Sequence, residues 1–293
     1  MPLDLSLKID RVENISREEF QEKYMRPQKP VIIRNFFGAD APIYKKWSFD
    51  YFRQELGHID VGVFDVEGSS MSADKTYKHA EDSMNFGEYL DLIQHHSTTK
   101  RLFLFNVFKY KKELKNDFPT PDIIDHVLGF IPFTFFGGKG AVTRLHQDMD
   151  MSNVFLTEVI GRKRVVLIDP KYSDMLYRYP FGVHSSINVD KPDYDRFPAL
   201  HYVQGYEFEL HAGDTLFMPS GWWHHIEYLS GAIGVSIRSL SPYYSTRLRG
   251  LYNVGVLTHV DEICRKVIGD KWGSLKARIA KHRAEVAIEH DGH

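Results

Sequence analysis

Short apolar runs separated by turn residues dominate the second half of the chain. The runs are about four to eight residues long, as strands are, and turn residues such as Gly137-Gly138 and Gly213-Asp214 separate them. Many short antiparallel strands with such turns indicate a double-sheet jelly roll or a related barrel. The predicted strands are 133–136, 142–149, 153–159, 163–168, 206–210, 214–218 and 232–239.

Helices and strands are mixed ahead of this barrel. Ser16 and Glu19 form a capping-box pattern that starts a short helix. Apolar spacing and turn residues predict further elements in this part of the chain. They are strands at 31–37, 61–66 and 101–105 and helices at 48–57 and 86–94.

The pattern after Pro242 is helical again and predicts three C-terminal helices. We therefore expect a mainly β fold with flanking N-terminal helices and a C-terminal helical segment. The expected division is one domain over residues 1–245, with its barrel core at about 101–245, and a helical segment over 246–293.

Two segments, 67–83 and 172–197, lack periodicity and are rich in polar residues. Loops of that length in a compact domain are commonly functional or covering segments. We expect them to border a substrate cleft.

Composition excludes several classes of protein. With 37 basic and 39 acidic residues the formal net charge is -2, so no overall field favours nucleic acid or acidic membranes. A basic cluster at 265–283 is explained by a solvated helix face. Cys264 is the only cysteine, which excludes an intrachain disulfide, and no apolar stretch approaches the ~20 residues of a membrane span. We expect a cytoplasmic protein without a membrane or nucleic-acid partner.

The segment His146-Gln147-Asp148 is the first candidate for chemistry. On a strand, alternation would direct His146 and Asp148 to the same face. One more imidazole would complete a two-histidine, one-carboxylate face for iron(II), and His224 or His225 could supply it. A buried ion pair within a strand, or a core histidine beside two tryptophans, would explain the same residues without a metal.

The segment from Gly213 to His224, with Pro219 and Gly221 in their places, is similar to the second cupin motif. That motif assigns the metal to His224 rather than to its neighbour. Its later asparagine is absent, because Tyr228 stands there.

The first cupin motif is replaced by His146-Gln147-Asp148, and the combination resembles the JmjC hydroxylases, which are iron(II)- and 2-oxoglutarate-dependent oxygenases on a double-stranded β-helix. Within that family the pattern is most like the asparaginyl hydroxylase of hypoxia-inducible factor. The resemblance implies Fe(II) bound by His146, Asp148 and His224, with 2-oxoglutarate and O2 at the remaining positions. It implies hydroxylation of a C–H bond, giving succinate and CO2, with a protein or peptide as substrate.

The resemblance also implies residues that bind the cosubstrate. Lys163 matches the lysine that binds its distal carboxylate, Thr143 matches a hydroxyl beside it, and Asn153 falls in the same set. Two positions depart from the family, because Phe103 replaces a tyrosine and Arg238 replaces an asparagine. Arg238 could be a second carboxylate ligand or could displace Lys163, and without the family Lys163 would be taken for an exposed base.

Other functions fit the same residues. A JmjC demethylase or an RNA hydroxylase would use the same metal site, and a metal-binding cupin could act as a sensor or scaffold without turnover. The family implies a homodimer formed by the C-terminal helices. Their apolar residues could instead pack on the barrel of the same chain.

Overall fold

The computed structural model describes residues 3–65, 80, 82–128, 133–269 and 271–291. Within these residues the fold is mainly β, with helices before and after the barrel, as predicted. The strands are β1 (Asp4–Leu7), β2 (Asp10–Glu13), β3 (Val31–Arg34), β4 (Asp60–Asp65), β5 (Asp82–Asn85), β6 (Lys100–Phe105), β7 (Phe133–Gly137), β8 (Val142–His146), β9 (Asn153–Ile160), β10 (Arg162–Ile168), β11 (Gln204–His211), β12 (Asp214–Met218), β13 (Trp223–Tyr228) and β14 (Ala232–Ser239).

The α-helices of the described residues lie before β7 and after β14. Ser16 caps the first of them, its hydroxyl accepting a hydrogen bond from the Glu19 amide at 3.2 Å, as the sequence predicts. The helices are α1 (Arg17–Phe20), α2 (Pro42–Lys46), α3 (Phe49–Leu56), α4 (Phe86–His95), α5 (Tyr244–Tyr252), α6 (Thr258–Ile268) and α7 (Lys271–Asp291). None of the helices in the described ranges is long and apolar enough to cross a membrane.

Two mixed sheets form the barrel. One has five strands in the order β1-β11-β10-β13-β8, and the other has nine in the order β2-β3-β12-β9-β14-β7-β6-β4-β5. Most neighbours are antiparallel, whereas β1 pairs with β11 and β2 with β3 in parallel. Strands β9 and β10 follow one another in the chain but belong to different sheets.

Alternation along the strands separates two apolar layers. On β9, Phe155 packs outward with the helices, whereas Leu156 packs inward with Val165 and Leu167 of β10. The inward cluster joins side chains of both sheets, and we call the surface that carries it the inner face. Glu158 and Lys163 continue the same alternation on β9 and β10, so both lie on the inner face.

Three expectations about the elements are corrected or fall outside the described residues. Strand β8 ends at His146, whereas the sequence predicted a strand to residue 149. Most of the predicted 67–83 loop lies outside the described residues, and its end at residues 82–83 belongs to β5. Strand β13 was not among the predicted strands. The 172–197 segment, in contrast, carries isolated bridges but none of the named strands, in agreement with its lack of periodicity.

The C-terminal helices contact the barrel. Ala280 and Ala284 of α7 are buried in the cluster that contains Leu200. Gly250 of α5 lies so close to the turn after β8 that a Cβ there would be 2.2 Å from the Asp150 carbonyl oxygen. Much of the apolar surface of α5 and α6 is nonetheless exposed. Examples are Leu248, Leu251, Ile263 and Val267, and Val254 in the turn between the two helices is exposed as well.

Candidate metal centre

His146 and His224 are cross-strand partners. They lie opposite each other in the pairing of β8 with β13, and their ring centroids are 4.1 Å apart. Asp148 completes a group in which one ligand atom of each residue lies within 4.8 Å of the other two. The structure therefore brings together the three side chains that the sequence analysis proposed as metal ligands.

Asp148 reaches this group from a turn, and the predicted strand geometry is wrong at this point. The Gln147 amide donates a hydrogen bond to the Val183 carbonyl at 2.9 Å, and the Met151 amide bonds back to the Asp148 carbonyl at 3.3 Å. The Met151 φ of 53° completes the reversal of the chain. The carboxylate thus meets the imidazoles because the chain bends after His146.

Backbone carbonyls fix the tautomers of the two imidazoles. His146 Nδ1 lies 2.9 Å from the Arg144 carbonyl oxygen, and His224 Nδ1 lies 3.1 Å from that of Trp222. A carbonyl oxygen can only accept, so each Nδ1 carries the proton and each Nε2 keeps its lone pair. Such a partner on the other ring nitrogen is the usual support of a metal-binding histidine.

The protonation states suit a divalent cation. Burial and the neighbouring His224 hold the pKa of His146 well below its usual range, and burial also lowers the pKa of His224. Burial alone would raise the pKa of Asp148, but the Arg238 guanidinium and the two neighbouring imidazoles together outweigh it, and the pKa falls to about 2. At neutral pH the site therefore offers two neutral imidazoles and one carboxylate, which are the forms that bind metal.

His225 is directed away from this group. It lies on the other face of β13, where its Nε2 is 3.3 Å from Asp190 Oδ2. Of the two adjacent histidines only His224 belongs to the site, as the cupin motif assigns.

Arg238 is occupied by acidic partners beside the metal group. Its Nη2 lies 3.2 Å from Asp148 Oδ1, while its Nη1 lies 3.0 Å from Asp150 Oδ1 and 2.9 Å from Ser152 Oγ. These contacts orient the Asp148 carboxylate. The role of Arg238 as a ligand for the cosubstrate stays a prediction.

Lys163 is buried inside the barrel, not exposed with the bases on either side of it. Its Nζ lies 2.7 Å from Glu158 Oε2 and 4.7 Å from the centre of the Tyr228 ring. Thr143, the hydroxyl predicted to lie beside this lysine, accepts a hydrogen bond at 2.9 Å from Arg101. Arg101 is itself a buried cation. Lysine and threonine thus line the barrel below the metal group with partners that the sequence analysis did not identify.

The cosubstrate roles of Asn153 and Phe103 stay predictions, as do those of Lys163 and Thr143. The Asn153 amide links the start of β9 to the segments that follow β12 and β14, since its Oδ1 accepts from the Ser220 amide at 3.0 Å and its Nδ2 donates to the Leu240 carbonyl at 3.2 Å. The side chain of Phe103 lies outside the described part of the chain.

The structure adds His184, which the sequence analysis missed. Its ring centroid lies 6.0 Å from that of His146, and the backbones of the two residues form an isolated bridge. His184 belongs to the 172–197 segment, where no periodicity could predict the direction of a side chain. This segment therefore covers the metal group.

Comparison with known proteins covers the same region. The family model described as "Cupin-like domain" matches residues 17–240, a range that includes all three candidate ligands.

Individual relatives of this chain are less than 30% identical to it. Lysine-specific demethylase 8 of Xenopus tropicalis is 29% identical over 245 residues, which cover 80% of this chain and 53% of that protein. The tRNA wybutosine-synthesizing protein 5 of Mus musculus is 28% identical over 253 residues, covering 79% and 77%. The bifunctional peptidase and (3S)-lysyl hydroxylase JMJD7 of Homo sapiens is 26% identical over 254 residues, covering 74% and 79%.

The chain thus spans about half the length of the demethylase and about three quarters of the other two. The names of these relatives bear out the predicted resemblance to JmjC proteins. The closer likeness to an asparaginyl hydroxylase stays a prediction.

Proposed function

Because the chain belongs to the Cupin-like domain family, we propose that it is an iron(II)- and 2-oxoglutarate-dependent dioxygenase that hydroxylates a C–H bond of a protein side chain. The convergence of His146, Asp148 and His224 within 4.8 Å is the observation that carries the proposal. Two imidazoles and one carboxylate on one face of an ion leave the opposite positions open, which is the arrangement of non-haem iron(II) oxygenases.

The donor set fits the metal. Each Nε2 is unprotonated, and the Asp148 carboxylate is anionic because Arg238 stabilises its charge. When bound, iron(II), 2-oxoglutarate and dioxygen supply the oxidation that replaces hydrogen by hydroxyl on carbon, with succinate and carbon dioxide as coproducts.

The chain's own residues position the reactants. The carbonyls of Arg144 and Trp222 fix the planes of the two imidazoles, and Arg238 fixes the carboxylate between them. Lys163, buried on the inner face below these ligands, is the cation that would meet the distal carboxylate of the cosubstrate. Preorganised contacts of this kind reduce the cost of orienting the reacting groups.

The 172–197 segment would form one wall of the substrate cleft. His184 stacks beside His146 and the Val183 carbonyl accepts from the Gln147 amide, so this segment borders the metal group where a substrate would approach it. Replacement of His184 by alanine should change the choice of substrate while leaving 2-oxoglutarate binding intact.

The names of the relatives suggest two other substrate classes. One is named for lysine demethylation and one for a step in tRNA modification, while the lysyl hydroxylase is named for the protein chemistry proposed here. The formal net charge of -2 favours a protein over an RNA substrate. Mass spectrometry of candidate proteins and of tRNA would separate the classes, since hydroxylation adds one oxygen atom and demethylation removes a methyl group.

A visible absorption band tests the oxygenase chemistry itself. Under anaerobic conditions, iron(II)-loaded protein should develop a weak charge-transfer band when 2-oxoglutarate is added, and His146→Ala should abolish it. Absence of the band from well-metallated protein would instead favour a cupin that binds metal without turnover.

We also propose that the chain forms a homodimer through α5 and α6. The apolar side chains there are exposed, with Leu251 at 72% and Val267 at 79%. Large exposed apolar side chains on neighbouring helices are candidates for an interface. Light scattering should give a dimer for the full chain and a monomer for Leu251→Glu/Val267→Glu, and a monomeric parent chain would refute the idea.

A further inference from the structure

An acid already occupies the lysine on which cosubstrate binding is expected to depend. Lys163 and Glu158 are 1% and 0% exposed, and Lys163 Nζ lies 2.7 Å from Glu158 Oε2. Burying two charges is costly unless each is fully satisfied by its neighbours. Stability alone therefore does not explain why the fold buries this lysine and this glutamate together.

The pair lies at the depth that the far end of the cosubstrate would reach. On β10, Leu167 is opposite His224 and Lys163 is opposite Tyr228, so Lys163 lies four residues below the level of the metal ligands. Four residues of a strand span about 13 Å along the backbone, a distance that the five-carbon cosubstrate and the long lysine side chain would cover together. On the opposite sheet, Glu158 of β9 pairs with Gly234 of β14.

Space and unsatisfied polar atoms accompany the pair on the inner face. A Cβ on Gly234 would lie 2.9 Å from Lys163 Nζ and 3.2 Å from Glu158 Oε2, so the absence of a side chain there makes room for both groups. Within the described residues, Glu158 Oε1 and Ser236 Oγ are buried without a hydrogen-bond partner. Ser236 lies between Gly234 and Arg238 on β14, so polar groups continue from the metal group towards Lys163.

The charge of Glu158 determines whether a dicarboxylate can pair with the Lys163 ammonium group. If Glu158 stays ionised, two carboxylates share one ammonium group in a buried space, and like charges at that distance disfavour joint ionisation. If Glu158 takes a proton, the ammonium group is free to pair with the ligand, and the new carboxyl O–H is an additional donor. Burial already raises the pKa of Glu158 to about 7, with Lys163 opposing that rise, so the proton is readily acquired at neutral pH.

We propose that Glu158 belongs to the cosubstrate site, and that binding of a dicarboxylate 2-oxo acid at Lys163 transfers one proton from solvent to the Glu158 carboxylate. The inference rests on the proposed function. It makes cosubstrate affinity depend on pH through a residue remote from the metal ligands.

Other charged groups on the surrounding strands are already paired or directed elsewhere. The Tyr228 ring lies against the Lys163 ammonium group, and β14 presents the uncharged Gly234 and Ser236, followed by Arg238, which is paired with Asp148 and Asp150. The remaining groups and their partners are Arg101 with Thr143, Asp214 with Arg11 and Arg34, Arg162 with Glu209, and Arg164 with Asp190, Glu207 and Glu227. Glu158 is therefore the acid that the ligand would meet at Lys163.

Calorimetry of the manganese(II)-loaded full chain tests the proposal. 2-Oxoglutarate is titrated in two buffers with different heats of ionisation, and the difference gives the number of protons taken up. Above pH 7 we expect uptake to approach one proton and the dissociation constant to rise about tenfold per pH unit. Well below pH 7 both effects should vanish, because Glu158 is then protonated before the ligand arrives.

Two controls isolate Glu158. Pyruvate has the same 2-oxo acid head but no distal carboxylate, so its binding should take up no proton. Glu158→Gln should bind 2-oxoglutarate without proton uptake, with a pH-independent affinity about tenfold above the parent at about pH 8. Glu209→Gln, on the outer side of the neighbouring β11, should behave like the parent.

Three outcomes would overturn the inference. They are binding by the parent chain without proton uptake above pH 7, equal uptake with pyruvate, and unchanged uptake in Glu158→Gln. The parent measurement needs no variant and stands even if Glu158→Gln fails to fold. A chain that binds manganese but no 2-oxo acid at any pH would overturn the proposed function as well, so the two failures are distinguishable.

Discussion

Replacement of Glu158 by glutamine should change how the stability of the ligand-free protein depends on pH. The fold holds this carboxyl in a fully buried position, and its pKa rises from 4.5 to about 7 because burial disfavours the charge. A raised pKa stabilises the folded state, and this stabilisation is fully present at pH values below 4.5, the pKa of the group in the unfolded chain. That contribution is lost as pH rises through the folded value, and nothing further is lost above it.

The magnitude follows from the same two values. The shift covers about 2.5 pH units, and each unit corresponds to ~1.4 kcal/mol, so the parent chain should lose about 3 kcal/mol of unfolding free energy from this group. Glutamine occupies the same volume and does not titrate. The unfolding free energy of Glu158→Gln minus that of the parent should therefore grow by about 3 kcal/mol between pH 4.5 and pH 7 and then level off.

Urea unfolding, followed by far-ultraviolet circular dichroism across that range, measures the difference. Groups that titrate equally in both proteins, including the histidines of the metal site, cancel in the subtraction. Glu209→Gln is the matched control, because the Glu209 side chain is 43% exposed and paired at the surface, and its difference curve should be flat. A flat curve for Glu158→Gln would refute the argument, since it would mean that Glu158 is ionised in the folded protein at no cost.

Three further predictions concern the metal group and its support. His224→Ala should abolish manganese(II) binding measured by calorimetry, and His225→Ala should retain it, because His224 lies with the other ligands and His225 does not. The opposite result would mean that the wrong histidine is assigned to the metal. Arg238→Met should weaken manganese binding about tenfold or more, since it removes the hydrogen bond that orients the ligating carboxylate; an unchanged dissociation constant would exclude that positioning role. Gly250→Ala should cost about 1–3 kcal/mol of unfolding free energy, because its Cβ would overlap the backbone of the neighbouring turn. Gly255→Ala, whose Cβ would have nothing within 4 Å, should cost much less. Equal costs would show that helix propensity and not packing determines the effect of the substitution.

The barrel could be predicted from the sequence because its strands are short and are bounded by turn residues. Each predicted strand from 133 onward corresponds to a strand in the structure, but β13, which carries His224, was not among the predicted strands, and β8 ends three residues earlier than predicted. The metal group was predicted for a partly incorrect reason. Strand alternation placed Asp148 beside His146, but a turn held by contacts with residues far along the chain does so in the structure.

The Lys163–Glu158 pair could not be predicted from the sequence. Basic neighbours at 162 and 164 suggested an exposed cluster, whereas alternation sends only the middle residue inward. Its acid partner lies on the preceding strand, but that strand belongs to the other sheet, so no hairpin register connects the two. His184 was missed for a similar reason, because the loop that carries it has no period from which to predict its direction.

The position of the two imidazoles on adjacent paired strands has a consequence for how such a protein can change. Hydrogen bonds of the sheet fix the separation of His146 and His224, so the intervening chain contributes little to it. Lengthening a surface loop costs only about 0.6 kcal/mol for each doubling. The long connection that passes over the metal group can therefore change its length and sequence without altering the spacing of the imidazoles, as long as Val183 keeps its hydrogen bond to Gln147 and so holds the turn of Asp148. Under the proposed function, such changes would alter the choice of substrate and leave the metal ligands in place.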